Sequence, residues 1–133
     1  MKVTMLVEKE FDVTHVALNV AVRYEEEDMP NDYPFRNGDM WCPVIDVNTG
    51  KIRNWPGGTE TLNLHMKVCD QGTYRVYAGD WEVFAIENDY VPGFIPGSYG
   101  DYIEMQITSN GLITNWPKDF AARLQDCIKS RQE

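Results

Sequence analysis

Six carboxylates recur in register along this chain: Glu26, Asp28 and Asp39, then Glu87, Asp89 and Asp101. Clustered oxygen ligands are what a hard cation such as calcium requires, and a carboxyl pair is the machinery of glycoside hydrolysis. The spacing inside each set matches no metal loop, and the separation of a catalytic pair is set by folding rather than by sequence. Asp46-Val47-Asn48-Thr49-Gly50 carries a fragment of the EF-hand pattern without its helices or its twelfth-position glutamate, so it reads as a turn. A plainer role for Asp39 and Asp101 is to accept backbone hydrogen bonds where a strand begins, with the other acids solvated.

The two histidines, His15 and His65, have no partner at zinc-ligand spacing. His65 and Cys69 share strand parity, but four residues of strand span about 13 Å, too far for one ion. No Walker loop, dinucleotide fingerprint, G-x-S-x-G elbow or nucleophilic cysteine context appears. The expectation is therefore no metal and no cofactor, and the balance leans against an enzyme.

Aromatic residues accompany the acids. Tyr33 and Phe35 lie in the first acidic segment, and Tyr90, Phe94 and Tyr99 in the second, where prolines and glycines keep the backbone out of a ladder. Exposed aromatics beside carboxylates make a contact surface in which rings anchor and acids steer a basic partner. The competing expectation is that Phe94 and Ile95 fold over the end of the core as a lid. Trp55 and Trp116, each in an Asn-Trp-Pro corner, offer a platform for a small ligand, but the preferred reading is that each indole plugs the core where its strand exits.

These residues belong to a repeat. Glu26, Asp28, Pro30, Pro34, Gly38, Asp39, Gly50, Ile52, Asn54, Trp55 and Pro56 return 61 or 62 positions later, from Glu87 to Pro117. Self-similarity at a fixed interval points to an architecture built from two similar units, about 26–56 and 87–117, within one domain of residues 1–133. A pseudo-twofold axis would then relate the halves.

Alternation over 13–24 predicts a strand paired with an earlier one near Val3 to Val7. Hairpins are expected around Asn48-Thr49-Gly50 and Ser109-Asn110-Gly111, with further strands at 61–68, 73–78 and 81–87. From Pro117 the period becomes helical, with Phe120, Ala121, Leu124, Cys127 and Ile128 on one face, so a helix is expected over 117–131. The fold class is mainly β: a roughly eight-stranded antiparallel sandwich or small barrel of two similar halves, with one C-terminal helix.

Charge narrows the function. Twenty-one acids against 12 bases give a net charge of −9, which repels phosphate backbones and anionic lipid, so neither direct nucleic-acid nor membrane binding is expected. No apolar run spans a bilayer, Met1 to Glu10 lacks a signal-peptide core, and three cysteines without C-x-x-C spacing suit a reducing compartment, giving a cytoplasmic expectation. The leading functional reading is a non-enzymatic acidic binding protein that engages a protein with a basic surface, including the case of an inhibitor that imitates nucleic-acid charge. Its partner-binding residues are Glu26, Asp28, Tyr33, Phe35, Asp39, Glu87, Asp89, Tyr90, Phe94, Tyr99 and Asp101. The alternative is a small-ligand or divalent-metal site at a barrel mouth or between the repeats, with Trp55 and Trp116 in its lining. Oligomeric state is not legible.

Overall fold

The computed structural model describes residues 2–4, 10–23, 35–56, 62–68, 74–86 and 102–132. These form ten strands and one helix: β1 (Lys2–Thr4), β2 (Glu10–Asp12), β3 (His15–Leu18), β4 (Val20–Arg23), β5 (Met40–Trp41), β6 (Val44–Asp46), β7 (Leu62–Val68), β8 (Tyr74–Ala78), β9 (Trp81–Ile86), β10 (Tyr102–Ile107) and α1 (Phe120–Gln132). Every strand pairing is antiparallel. Eight strands make two four-stranded sheets, ordered β10-β7-β4-β5 and β6-β3-β8-β9, and β1 with β2 makes a separate two-stranded ribbon.

The expected partner of the 13–24 strand differs: β1 pairs with β2, Lys2 opposite Asp12. The expected strand is itself split. After Leu18 the chain passes Asn19 and enters the other sheet as β4, and β5 makes the reverse passage to β6 through Cys42 and Pro43. The ladder continues through this corner, since Val20 faces Trp41, Ala17 faces Val44, and Leu18 N donates to Pro43 O at 3.2 Å. Side chains pin both crossings. Asn19 Oδ1 accepts from Cys42 Sγ at 2.5 Å and from the Arg75 guanidinium at 3.2 Å, and the same guanidinium lies 3.2 Å from that sulfur.

The small-barrel alternative is not what the described residues form. Consecutive strands β9 and β10 part company, β9 pairing with β8 in one sheet and β10 with β7 in the other, so neither ladder closes. Both sheets contribute to one core. Val16, Leu18, Ile45 and Val76 from one meet Val20, Val22, Met105 and Ile107 from the other, with Ile52 and Ile113 between. Ala17 and Ala21, on the face that alternation assigns to solvent, are buried too.

The helix sits three residues inside its expected start. Pro117 to Asp119 form a turn closed by Phe120 N to Pro117 O at 3.2 Å, which brings the Phe120 ring onto Trp116 with centroids 4.5 Å apart. Phe120, Leu124 and Ile128, four residues apart, are buried in the common core, and Ala121 packs against it. That is the stripe by which a short helix gains its stability from packing rather than from propensity. The exposed side carries the Asp119–Arg123 ion pair at 2.7 Å.

Candidate functional site

The two Asn-Trp-Pro segments meet. Asp46 N donates to Lys51 O and Arg53 N to Val44 O, closing the first hairpin, and Thr108 N to Leu112 O and Thr114 N to Gln106 O close the second. Between the hairpins, Ile52 N donates to Gly111 O at 2.8 Å and Ile113 N to Gly50 O at 3.0 Å. The indoles exchange in the same sense: Trp55 Nε1 donates to Ser109 O at 3.0 Å, and Trp116 Nε1 to Val47 O at 3.1 Å. Asn54 Oδ1 accepts from Val44 N, as Asn115 Oδ1 does from Gln106 N.

Two glycines make the approach possible. Gly50 and Gly111 have φ of +80° and +85°, and a Cβ on Gly50 would lie 2.6 Å from Trp116 Cβ, while one on Gly111 would lie 2.5 Å from Trp55 Cβ. Each tryptophan thus covers the turn glycine of the opposite hairpin. The exchange is local to 44–55 and 106–116. Elsewhere among the described residues pairing recurs at the repeat interval only in part: Val16–Val76 and His15–Tyr77 of β3 and β8 map onto each other under a shift of 61, whereas β4 pairs with β5 and β7, and β9, 61 residues on, pairs with β8.

Of the residues assigned to partner or ligand contact, Phe35, Asp39, Trp55 and Trp116 are described. Phe35 is half-buried in an aromatic cluster with Trp41 and Trp55, with centroids 4.6 Å and 5.7 Å away, and the two indoles lie 6.0 Å apart. The Trp41 Nε1 donor in this cluster is buried without an acceptor among the described residues. Asp39 is exposed, and its carboxylate accepts from Arg36 N at 2.8 Å across the turn at Gly38. Trp116 is 8% exposed against the helix. Glu26, Asp28, Tyr33, Glu87, Asp89, Tyr90, Phe94, Tyr99 and Asp101 lie outside the described residues. So does the question of whether the two acidic segments adjoin.

A second group of polar and aromatic residues, not singled out from sequence, gathers on the β6-β3-β8-β9 sheet. Strand register sets Asp46, His15, Tyr77 and Glu82 side by side across four strands, on the face opposite buried Ile45, Val16 and Val76. Directly opposed residues of antiparallel strands have Cβ atoms about 5 Å apart, so this is one row of neighbours. Arg53 joins it from beyond β6. Its guanidinium carbon stands 5.7 Å from the Tyr77 ring centroid, and Nη1 donates to Gly79 O at 2.8 Å and to Asp80 Oδ1 at 3.2 Å. The Thr14 hydroxyl holds the end of the row, accepting from Gly79 N at 2.9 Å and lying 2.8 Å from His15 Nδ1.

Burial pushes the His15 imidazole below its ordinary pKa, and the Arg53 cation adds to that, while Asp46 and Asp80 act in the opposite sense. A lowered value keeps the ring neutral at pH 7. Among the described residues no group of three or more His, Cys, Asp or Glu side chains is placed to hold a metal ion.

At the end of this sheet stands Trp81, 79% exposed. Tryptophan is on average a highly buried residue, so its placement is informative. It is the first residue of β9, after the turn Gly79-Asp80, with Gly79 at φ +62° and the Asp80 side chain 94% exposed. A register shift between Val76 and Tyr77 gives β9 one extra residue, so Trp81 faces Ala78 and Glu82 faces Tyr77. Strict alternation over 81–86 cannot anticipate that shift. The one sequence signal available was position, since a residue at the mouth of a two-residue turn lies beyond the core's edge.

Comparison with protein-family models, with curated proteins and with solved structures gave no match for the chain.

Proposed function

We propose that the protein is a non-enzymatic acidic binding protein whose partner is a protein with a basic surface. The observation that carries this reading is Trp81, open to solvent and flanked in sequence by Asp80 and Glu82, in a chain of net charge −9. Exposed tryptophan is the side chain best suited to anchor an interface, and surrounding negative charge steers a positive partner and repels a second copy of the chain. The repeated acidic segments extend the same charge, and we read the reciprocal Trp-Gly clamps as the trace of an ancestral doubling that brought two such segments into one chain. A nucleic-acid-binding protein, whose groove is already positive, is one partner of this kind.

The test is capture on the immobilised protein over a range of ionic strength. The expected result is retention of a basic protein that salt releases and that Trp81→Ala no longer retains. Retention indifferent to both salt and Trp81→Ala would defeat the reading.

A further inference from the structure

The end of the β6-β3-β8-β9 sheet shows how this chain holds a guanidinium. Arg53 lies over the Tyr77 ring, shares Nη1 between the Gly79 carbonyl and the Asp80 carboxylate, and so joins a π face, a carbonyl and a carboxylate around one planar cation. Trp81, next to Asp80 in the chain and opposite Ala78, presents a larger and far more exposed π face at the same turn, on the side of the sheet away from Tyr77. Indole is the strongest aromatic partner for a cation, and a guanidinium stacks on it while its edge donates to a carboxylate, which an ammonium does less well.

Resting on the reading above, we infer that Trp81, with Asp80, is a receptor for an arginine side chain of the partner polypeptide. The Asp80 carboxylate engages Arg53 through Oδ1 and remains 94% exposed, so it is open to a second cation from solvent. Glu82, on the same strand, and Asp46, farther along the row, supply negative potential. Arg53 is the cation that engages Asp80 here, and its removal leaves Asp80 to the incoming arginine.

The probes are labelled peptides of alternating arginine and threonine, lysine and threonine, and citrulline and threonine, titrated against the full chain at low salt. Citrulline keeps the shape of arginine without the charge. The arginine peptide is expected to bind best, the lysine peptide several-fold more weakly and the citrulline peptide not measurably. Trp81→Ala weakens the arginine peptide roughly three- to tenfold, as loss of a cation–π contact does, and Arg53→Gln strengthens it about two- to fivefold, the scale of one exposed charge pair. Both positions are exposed, and circular dichroism of each variant verifies the fold. Equal binding of arginine and lysine peptides, unchanged in Trp81→Ala, overturns the receptor, as does a dimer in sedimentation that Trp81→Ala abolishes. Arginine selectivity without any captured basic protein leaves the receptor standing and removes the partner reading. Capture of a basic protein that needs Trp81 but shows no preference for arginine does the reverse.

Discussion

His15 is held neutral by its surroundings, and the consequence for stability has a definite sign. In the unfolded chain it protonates near the ordinary histidine value of about 6.5, whereas in the fold burial, and then Arg53, place its pKa lower. Between the two values the unfolded chain binds more protons, so stability is full above about pH 6.5 and falls as pH drops towards the folded-state pKa. Thermal melting of the wild type and of His15→Gln from pH 8 to pH 5 checks this. The wild type should lose more of its melting temperature over that interval than the variant, and parallel curves would show that His15 contributes nothing. Arg53→Gln should narrow the difference, since it removes the second cause of the lowered value.

At the scale of elements, the two hairpins are joined through glycines that no other residue replaces cheaply. Alanine at Gly111 meets a left-handed backbone and a 2.5 Å approach to Trp55 Cβ, and alanine at Gly50 meets the same at Trp116. The backbone term and the overpacking term together put the cost of either substitution at roughly 2 to 4 kcal/mol. Urea unfolding should show it, and combining Gly111→Ala with Trp55→Gly should cost less than the sum of the two, because with Cβ, Cγ and Cδ1 of Trp55 gone no side chain there opposes the new methyl group. Strict additivity would mean that the contact is not what constrains the glycine. Much of this arrangement was legible: the turn glycines, the Asn-Trp-Pro corners and the helical stripe of Phe120, Leu124 and Ile128 all stand at the spacing that local geometry demands. That each tryptophan serves the other hairpin was not legible, because a repeat shows equivalence and not contact. The change of sheet at Asn19 and the extra residue in β9 were hidden for a related reason. Both depend on which strand lies alongside, and an alternating pattern is the same before and after a strand bends into a new sheet.

At the scale of the whole molecule, one charge imbalance acts on folding and on association in opposite directions. A net charge of −9 repels itself in the compact state, and the salt bridges Arg53–Asp80 and Asp119–Arg123 are both solvent-exposed pairs of small individual worth. Raising salt from about 10 mM to about 150 mM shortens the screening length from roughly 30 Å to 8 Å, which weakens repulsion across the molecule more than it weakens a contact at 3 Å. The melting temperature should therefore rise over that range. The attraction between the acidic surface and a basic partner acts over the same distances and is screened alongside, so affinity should fall while stability climbs. Calorimetry of the free protein and titration with the arginine peptide, run in the same salt series, measure the two trends together. A melting temperature that falls with salt would mean that local ion pairs outweigh the global repulsion, and an affinity that does not fall would mean that the surface binds by shape and apolar contact, leaving the excess of acids without a part in recognition.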